Sequence, residues 1–374
     1  MNVLIFTAST GGGHKRAAAA IEAKIKSLSP ETNVTVIDGM KAIGKFYDKT
    51  VCKGYHIMAT KTPAVYGKLY RLTDKKKTFA KTVVKSNEIM ANKLLKVINE
   101  NNPDIIIICH AFITNMVSRL KQKGKLDVKA ISLITDYDSH RTYISSYIDA
   151  FVLAEPHMKR KLCEEYGVAE DKIFPLGIPT FDRFSAKETK EEICARERLN
   201  PEIPTVLMMA GSFGVTGILG IYEQLAKSSE DIQIIVITGR NIKLFDHFDK
   251  KIQELGTSHN TKLMYFVDNV EDYMHVADLI VTKPGGLTVT ESIACNLPMA
   301  LYSAYPGQEK DNVDFLLEQH AAMLIDKKNG AQDILSLLNS PEKLEQMKEN
   351  CQKLALPNAA EDIFKLAKKL CNEE

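Results

Sequence analysis

No apolar run in the 374 residues approaches the roughly 18 that a membrane-spanning helix needs, so a spanning protein is not expected. The opening residues Met1-Asn2-Val3-Leu4-Ile5-Phe6 lack the basic start of a secretory signal, and export by that route is not expected either. The seven cysteines (Cys52, Cys109, Cys163, Cys194, Cys295, Cys351 and Cys371) are odd in number, scattered and never spaced as Cys-x-x-Cys. That excludes a disulfide framework and a zinc finger and fits a reducing cytoplasm. An excess of charge is also missing, because 49 basic residues against 47 acidic ones leave a net charge of +2 and no general attraction to polyanions. Hydrophobic residues at 45% and charged residues at 26% match ordinary globular proteins, which excludes disordered and fibrous classes. A chain of this length predicts two domains.

What is present begins with a short apolar run at residues 3–7, followed by Gly11-Gly12-Gly13-His14 and an alanine-rich helix former at 17–26. Strand, glycine turn and helix follow one another. Further β-branched runs at 34–37, 105–108, 131–135 and 151–154 suit a parallel sheet covered on both faces. The stretch 185–204 is charged and then punctuated by proline, after which runs at 206–210, 234–238, 263–267, 279–282 and 299–302 restart the pattern. The sequence therefore predicts an α/β chain of two Rossmann-like doubly wound domains facing across a cleft. The expected boundaries are 1–185 and 186–355, with a terminal helix at 356–374 packing back on the first domain.

The second half carries a phosphate-binding pattern. Lys283-Pro284-Gly285-Gly286-Leu287-Thr288 follows a strand and opens a helix, where glycines admit a ligand to the backbone and free N–H groups favour an anion. Glu291, about one turn further on, is placed to accept the hydroxyls of a nucleotide ribose; the competing reading is a structural Thr288-x-x-Glu291 capping box. Gly211-Ser212-Phe213-Gly214 offers a second cradle, Arg240 and Asn241 end another strand, and Phe266 and Val267 end the 263–267 run. Gln308 and Glu309 supply an amide and a carboxylate for reading sugar hydroxyls. These features converge on a nucleotide sugar. A Walker loop and the Gly-x-Gly-x-x-Gly fingerprint are both missing, which disfavours a nucleoside triphosphatase or a dehydrogenase.

One segment departs from neutrality. Between residues 41 and 96, fourteen basic side chains face only Asp48, Asp74 and Glu88, a balance of +11 that leaves −9 for the rest. Lys41, Lys45, Lys75, Lys76, Lys77 and Lys81 are interleaved with rings such as Tyr66 and Tyr70, a composition that docks on anionic membrane or else forms a solvated face. No nucleic-acid module accompanies it.

Lys283 through Thr288, Glu291, Leu297-Pro298-Met299, Pro306-Gly307-Gln308-Glu309 and Asn312 together resemble the donor signature of the monogalactosyldiacylglycerol synthase and processive diacylglycerol glucosyltransferase group of glycosyltransferase family 28. Gly11-Gly12-Gly13-His14, Thr135-Asp136-Tyr137 with His140, and Gly177-Ile178-Pro179 resemble its first-domain elements. One departure is His140-Arg141-Thr142-Tyr143, where related members carry a large aromatic, in a chain without tryptophan.

The resemblance implies a B-type glycosyltransferase fold and inverting transfer of a hexose, glucose before galactose, from a UDP-sugar co-substrate to diacylglycerol. It places the acceptor on the first domain, at the cytoplasmic face of the cell membrane, with Gly13 also near the donor. It also makes His14 the candidate base, a role for which neutral imidazole is suited. His110 and Asp136 are further candidates, the first alternatively a structural histidine and the second a helix cap. Asp136 and Asp138 are not read as a metal pair, since helix ends with Arg240 and Lys283 serve to neutralise the diphosphate, and no cofactor is expected. The competing readings are a UDP-N-acetylglucosamine enzyme of the same fold, either a 2-epimerase or a lipid-linked N-acetylglucosaminyltransferase, and a non-catalytic binder of anionic membrane or nucleic acid.

Overall fold

The structure, a computed structural model, describes residues 1–8, 12–44, 67, 79–185, 188–209, 216–302 and 306–372. It divides into two compact units. One comprises Met1–Phe181, Tyr305–Asp311 and Leu356–Glu374, and the other Asp182–Ala304 and Asn312–Ala355.

The first unit is built on strands β1 (Asn2–Thr7), β2 (Asn33–Asp38), β3 (Ile105–Ile108), β4 (Lys129–Leu133), β5 (Ala150–Val152) and β6 (Ile173–Phe174). All pairings are parallel, in the order β2-β1-β3-β4-β5-β6. β3 is four consecutive isoleucines, all buried, because helices cover both faces of the sheet and leave no solvent side for a polar alternate. Its helices are α1 (Gly13–Leu28), α2 (Gly39–Ile43), α3 (Phe79–Asn101), α4 (Ala111–Gln122) and α5 (Met158–Glu164). On α1, Ala17, Ala18, Ile21 and Ile25 recur at helical spacing and share a core with Val3, Ile5, Ile105 and Ile107.

The second unit uses β7 (Thr205–Met209), β8 (Gln233–Ile237), β9 (Thr261–Met264), β10 (Leu279–Thr282), β11 (Met299–Tyr302) and β12 (Ala322–Ile325), again all parallel, in the order β12-β11-β10-β7-β8-β9. Its helices are α6 (Lys190–Glu197), α7 (Thr216–Ala226), α8 (Ile242–Leu255), α9 (Val270–Val276), α10 (Gly286–Ala294), α11 (Gln308–Glu318), α12 (Gly330–Leu338) and α13 (Pro341–Leu354). The first residues of α11, through Asp311, group with the first unit. β9 stops at Met264, so Phe266 and Val267 belong to the loop beyond it rather than to the strand expected at 263–267.

The last helix, α14 (Ala359–Leu370), returns to the first unit. Its Ile363, Phe364, Leu366 and Ala367 enter the same core as β1, β3 and α1. Gly177 sits beneath its start at φ +95°, and a side chain there would meet the Cβ atoms of Leu356 at 2.9 Å and Ala359 at 3.1 Å. Backbone conformation and close approach both require glycine at this point.

Each sheet reverses its strand order once, between β1 and β3 in the first unit and between β7 and β10 in the second. Doubly wound sheets bind ligands beyond the carboxyl ends of the strands flanking such a reversal.

Candidate active site

β1 and β3 run in register, Phe6 opposite Ile108, and the Cys109 N–H donates to the Phe6 carbonyl at 2.9 Å. The chain therefore leaves both strands at one level, and each exit carries a histidine. After β1, Gly12 caps α1 through its backbone alone and His14 is the helix's second residue. After β3, His110 occupies the N-cap of α4, its carbonyl accepting from the N–H groups of Ile113 and Thr114. The rings of His14 and His110 meet edge to face, centroids 5.0 Å apart and planes at 87°. His110 in turn stacks on Phe112 at 5.6 Å.

Thr135, two residues beyond β4, brings its Oγ1 within 3.1 Å of His14 Nδ1. The His14 ring is half-buried, and burial lowers its pKa from 6.5 to about 4, an effect the Cys109 carbonyl partly opposes. His110, only 7% exposed, is held well below 6.5 by burial and then by the neighbouring His14. Both imidazoles are neutral at pH 7 and able to accept a proton. Burial pushes the Cys109 thiol between them in sequence up to about 12, so it is not a thiolate nucleophile.

Asp136 is half-buried in the loop after β4 and caps no described helix. The cap of the following single turn, Arg141–Tyr143, is His140, whose Nδ1 accepts from the Thr142 N–H. Asp138 accepts from Lys161 Nζ at 2.6 Å and from the Ser139 N–H at 2.7 Å, so that carboxylate is engaged within the fold. Among the described residues, no three His, Cys, Asp or Glu side chains are grouped to hold a metal ion.

In the second unit, β10 runs through Lys283 and Pro284 to Gly285, the N-cap of α10. The N-cap Gly285 has no side chain with which to cap this helix, and first-turn N–H groups of a helix are suited to an anion. Buried Asn312 donates its amide to the Pro284 carbonyl at 2.8 Å and fixes the turn. Thr288 is the third residue of α10 rather than its cap, so the capping-box reading fails: the Gly285-Gly286 pair starts the helix first. Glu291 is its sixth residue and 1% exposed, and Lys283 and Leu287 are also buried. A carboxylate and an ammonium are thus both buried next to the strand reversal.

Gly239, at φ 62°, turns the chain after β8, and Asn241 then caps α8 by accepting from the Leu244 N–H at 3.1 Å. The Arg240 guanidinium lies 4.3 Å over the ring of Phe266, which is 46% exposed, and Val267 is half-buried beside it in sequence. Gln308 and Glu309, both half-buried, open α11 after Gly307 at φ 110°. Gly211, Ser212, Phe213 and Gly214, which follow β7 at the reversal, lie outside the described residues. So do Lys45, Tyr66, Tyr70, Lys75, Lys76 and Lys77 of the basic segment, as does the side chain of Lys81 in α3. Lys41 is described; it lies in α2 with its ammonium 4.0 Å from Asp38.

Residues 14–180 match the monogalactosyldiacylglycerol (MGDG) synthase family and residues 205–363 the glycosyltransferase family 28 C-terminal domain. A processive diacylglycerol beta-glucosyltransferase of Bacillus pumilus is 30% identical over 372 residues, covering 97% of this chain and 93% of its own. The chain belongs to this glycosyltransferase family. Among solved structures, Acinetobacter baumannii MurG superposes with a TM-score of 0.66 at 14% identity, over 98% of this chain and 99% of its own. A UDP-GlcNAc 2-epimerase from Neisseria meningitidis, bound to UDP-GlcNAc, superposes at 0.62 with 13% identity, over 99% of this chain and all of its own. At those identities what is shared is the fold, the B-type glycosyltransferase architecture of two Rossmann-like domains.

Within this family member, the structure brings His14 and His110 together at one strand reversal and Lys283 to Glu291 at the other. In the sequence Thr135 figures only as part of the Thr135-Asp136-Tyr137 element, and Phe112 not at all; the structure puts Thr135 against His14 and Phe112 against His110. The sequence signal for Thr135 was that element itself, just past a buried strand.

Proposed function

We propose that this enzyme transfers a hexose, glucose before galactose, from a UDP-sugar to the hydroxyl of diacylglycerol, making a β-linked membrane glycolipid. The observation that carries the reading is the full-length likeness to a processive diacylglycerol beta-glucosyltransferase, which extends through both units. The chemistry follows from the side chains. His14, neutral and half-buried, takes the proton as the acceptor oxygen attacks the anomeric carbon from the face opposite the UDP. The bond to the UDP oxygen breaks as the new bond forms, which inverts the centre. Asp136 orients the acceptor, and His110 keeps water from the base.

On the donor side, the glycine-capped start of α10 meets the diphosphate, with Lys283 and Arg240 adding positive charge as UDP departs. Glu291 accepts from the ribose hydroxyls, and Gln308 with Glu309 reads the sugar. These charges make a metal ion unnecessary. The segment 41–96, with its +11 balance, docks the enzyme on anionic lipid at the inner face of the cell membrane. No described helix is long and apolar enough to cross a membrane, so docking of this kind is what brings the enzyme to its lipid.

The test incubates the purified protein, in excess EDTA, with diacylglycerol in anionic liposomes and a panel of UDP-sugars, with lipid products identified by mass spectrometry. A hexosyl diacylglycerol from UDP-glucose is expected. No lipid product from any donor, together with epimerisation of UDP-N-acetylglucosamine, would replace this reading by the 2-epimerase.

A further inference from the structure

We propose that Thr135 is a positioning residue that fixes the tautomer of His14: the ring Nδ1–H donates to Thr135 Oγ1, leaving the Nε2 lone pair for the acceptor hydroxyl. The inference rests on the reading of His14 as the base. Its observation is the 3.1 Å contact between two side chains 121 residues apart, made at the strand reversal where the fold places its ligand.

The contact is built to hold one geometry. Thr135 is 5% exposed, and the backbone leading to it is tied down, since the Ile134 N–H donates to the Val152 carbonyl at 3.0 Å. A β-branched side chain has few χ1 choices, so the hydroxyl points in a fixed direction. From the other side, His14 is held by α1 and by the edge-on ring of His110. An imidazole free in water exchanges between two tautomers; a threonine hydroxyl can accept or donate, and in the arrangement proposed it accepts, so that Nδ1 keeps the proton.

A hydroxyl does this without the negative charge of a carboxylate, so it orients the ring without holding it protonated. In the reaction the acceptor proton moves to Nε2 while the Nδ1–H bond to Thr135 stays in place. The ring then needs no rotation between the neutral and protonated forms.

The experiment pairs Thr135→Val, which puts a methyl in place of the hydroxyl, with Thr135→Ser, which keeps the hydroxyl. Ring ¹⁵N chemical shifts of His14, assigned against His14→Gln, report the tautomer without any turnover. Wild type and Thr135→Ser are expected to show protonated Nδ1, and Thr135→Val a mixture. With UDP-glucose and diacylglycerol, Thr135→Val should lose on the order of 10-fold or more in kcat, part of the roughly 10²- to 10⁴-fold that a general base contributes, with the KM for UDP-glucose unchanged. Thr135→Ser should restore most of it.

A wild-type ring protonated at Nε2 overturns the proposal even if Thr135→Val fails to fold. A folded Thr135→Val protein with the wild-type tautomer and kcat overturns it as well. If His14→Gln keeps wild-type turnover, the base reading falls, and with it the catalytic consequence; the ring spectrum still decides whether Thr135 sets the tautomer.

Discussion

Acidification should weaken the first unit through His14 in particular. In the unfolded chain the imidazole titrates near 6.5, whereas in the folded protein burial lowers its pKa to about 4. Between those values the unfolded state binds a proton that the folded state refuses. Stability is thus fully present above pH 6.5 and is lost as pH falls towards 4. Over about two and a half pH units at about 1.4 kcal/mol each, the loss comes to about 3.5 kcal/mol, and solvent reaching the half-buried ring trims it to about 2 kcal/mol. Carboxylates titrate in the same range, so the comparison is with His14→Gln, in which those groups and His110 remain.

Urea unfolding of both proteins at pH 7.5 and 4.5, followed at the transition of the first unit, gives the difference directly. Wild type should lose about 2 kcal/mol more than the variant over that interval. Equal losses would mean that folded His14 titrates near its ordinary value, so that a large fraction of the base would already be protonated at pH 6.

Other perturbations separate the roles of the site residues. His14→Ala should lower kcat by about 10²- to 10⁴-fold while UDP affinity, measured by calorimetry, stays within a few-fold. Glu291→Ala should instead weaken UDP-sugar binding with a smaller effect on single-turnover rate, because contacts to the ribose are made equally in ground and transition states. A Glu291→Ala protein with lower melting temperature and undiminished donor affinity would make that carboxylate purely structural. Liposome flotation should show binding that needs anionic lipid and declines with salt, each basic residue near the surface contributing about 1 kcal/mol. Equal binding to neutral vesicles would remove the electrostatic reading of residues 41–96.

Much of the fold was legible because strands buried on both faces carry no alternation to decode: Ile105 to Ile108 can be read directly. β6 has only two residues, and β12 is an edge strand with exposed Leu324, so neither rises above the background of short apolar pairs. The limits of local pattern are plainest in two identical spacings. Thr189-Lys190-Glu191-Glu192 forms a reciprocal capping box on α6, whereas Thr288 and Glu291, equally spaced, sit inside α10. The difference is the preceding glycine pair, which allows α10 to begin two residues before Thr288. His14 stood out through its glycine turn, but its contact with Thr135 bridges 121 residues and is set by strand order, which no window of sequence contains.

The return of α14 to the first unit has a consequence for synthesis. Domains of a nascent chain ordinarily fold in the order in which they emerge. Here the strands of the first unit emerge early, but Ile363, Phe364 and Ala367, which complete their core, are translated after both sheets. The second unit, drawn from Asp182–Ala304 and Asn312–Ala355, has all its parts available sooner. Until α14 arrives, the apolar face shared by α1 and the sheet waits uncovered, open to chaperones. A ribosome that stalls after residue 355 would release a chain with all the parts of its second unit and a first unit whose core lacks Ile363, Phe364 and Ala367.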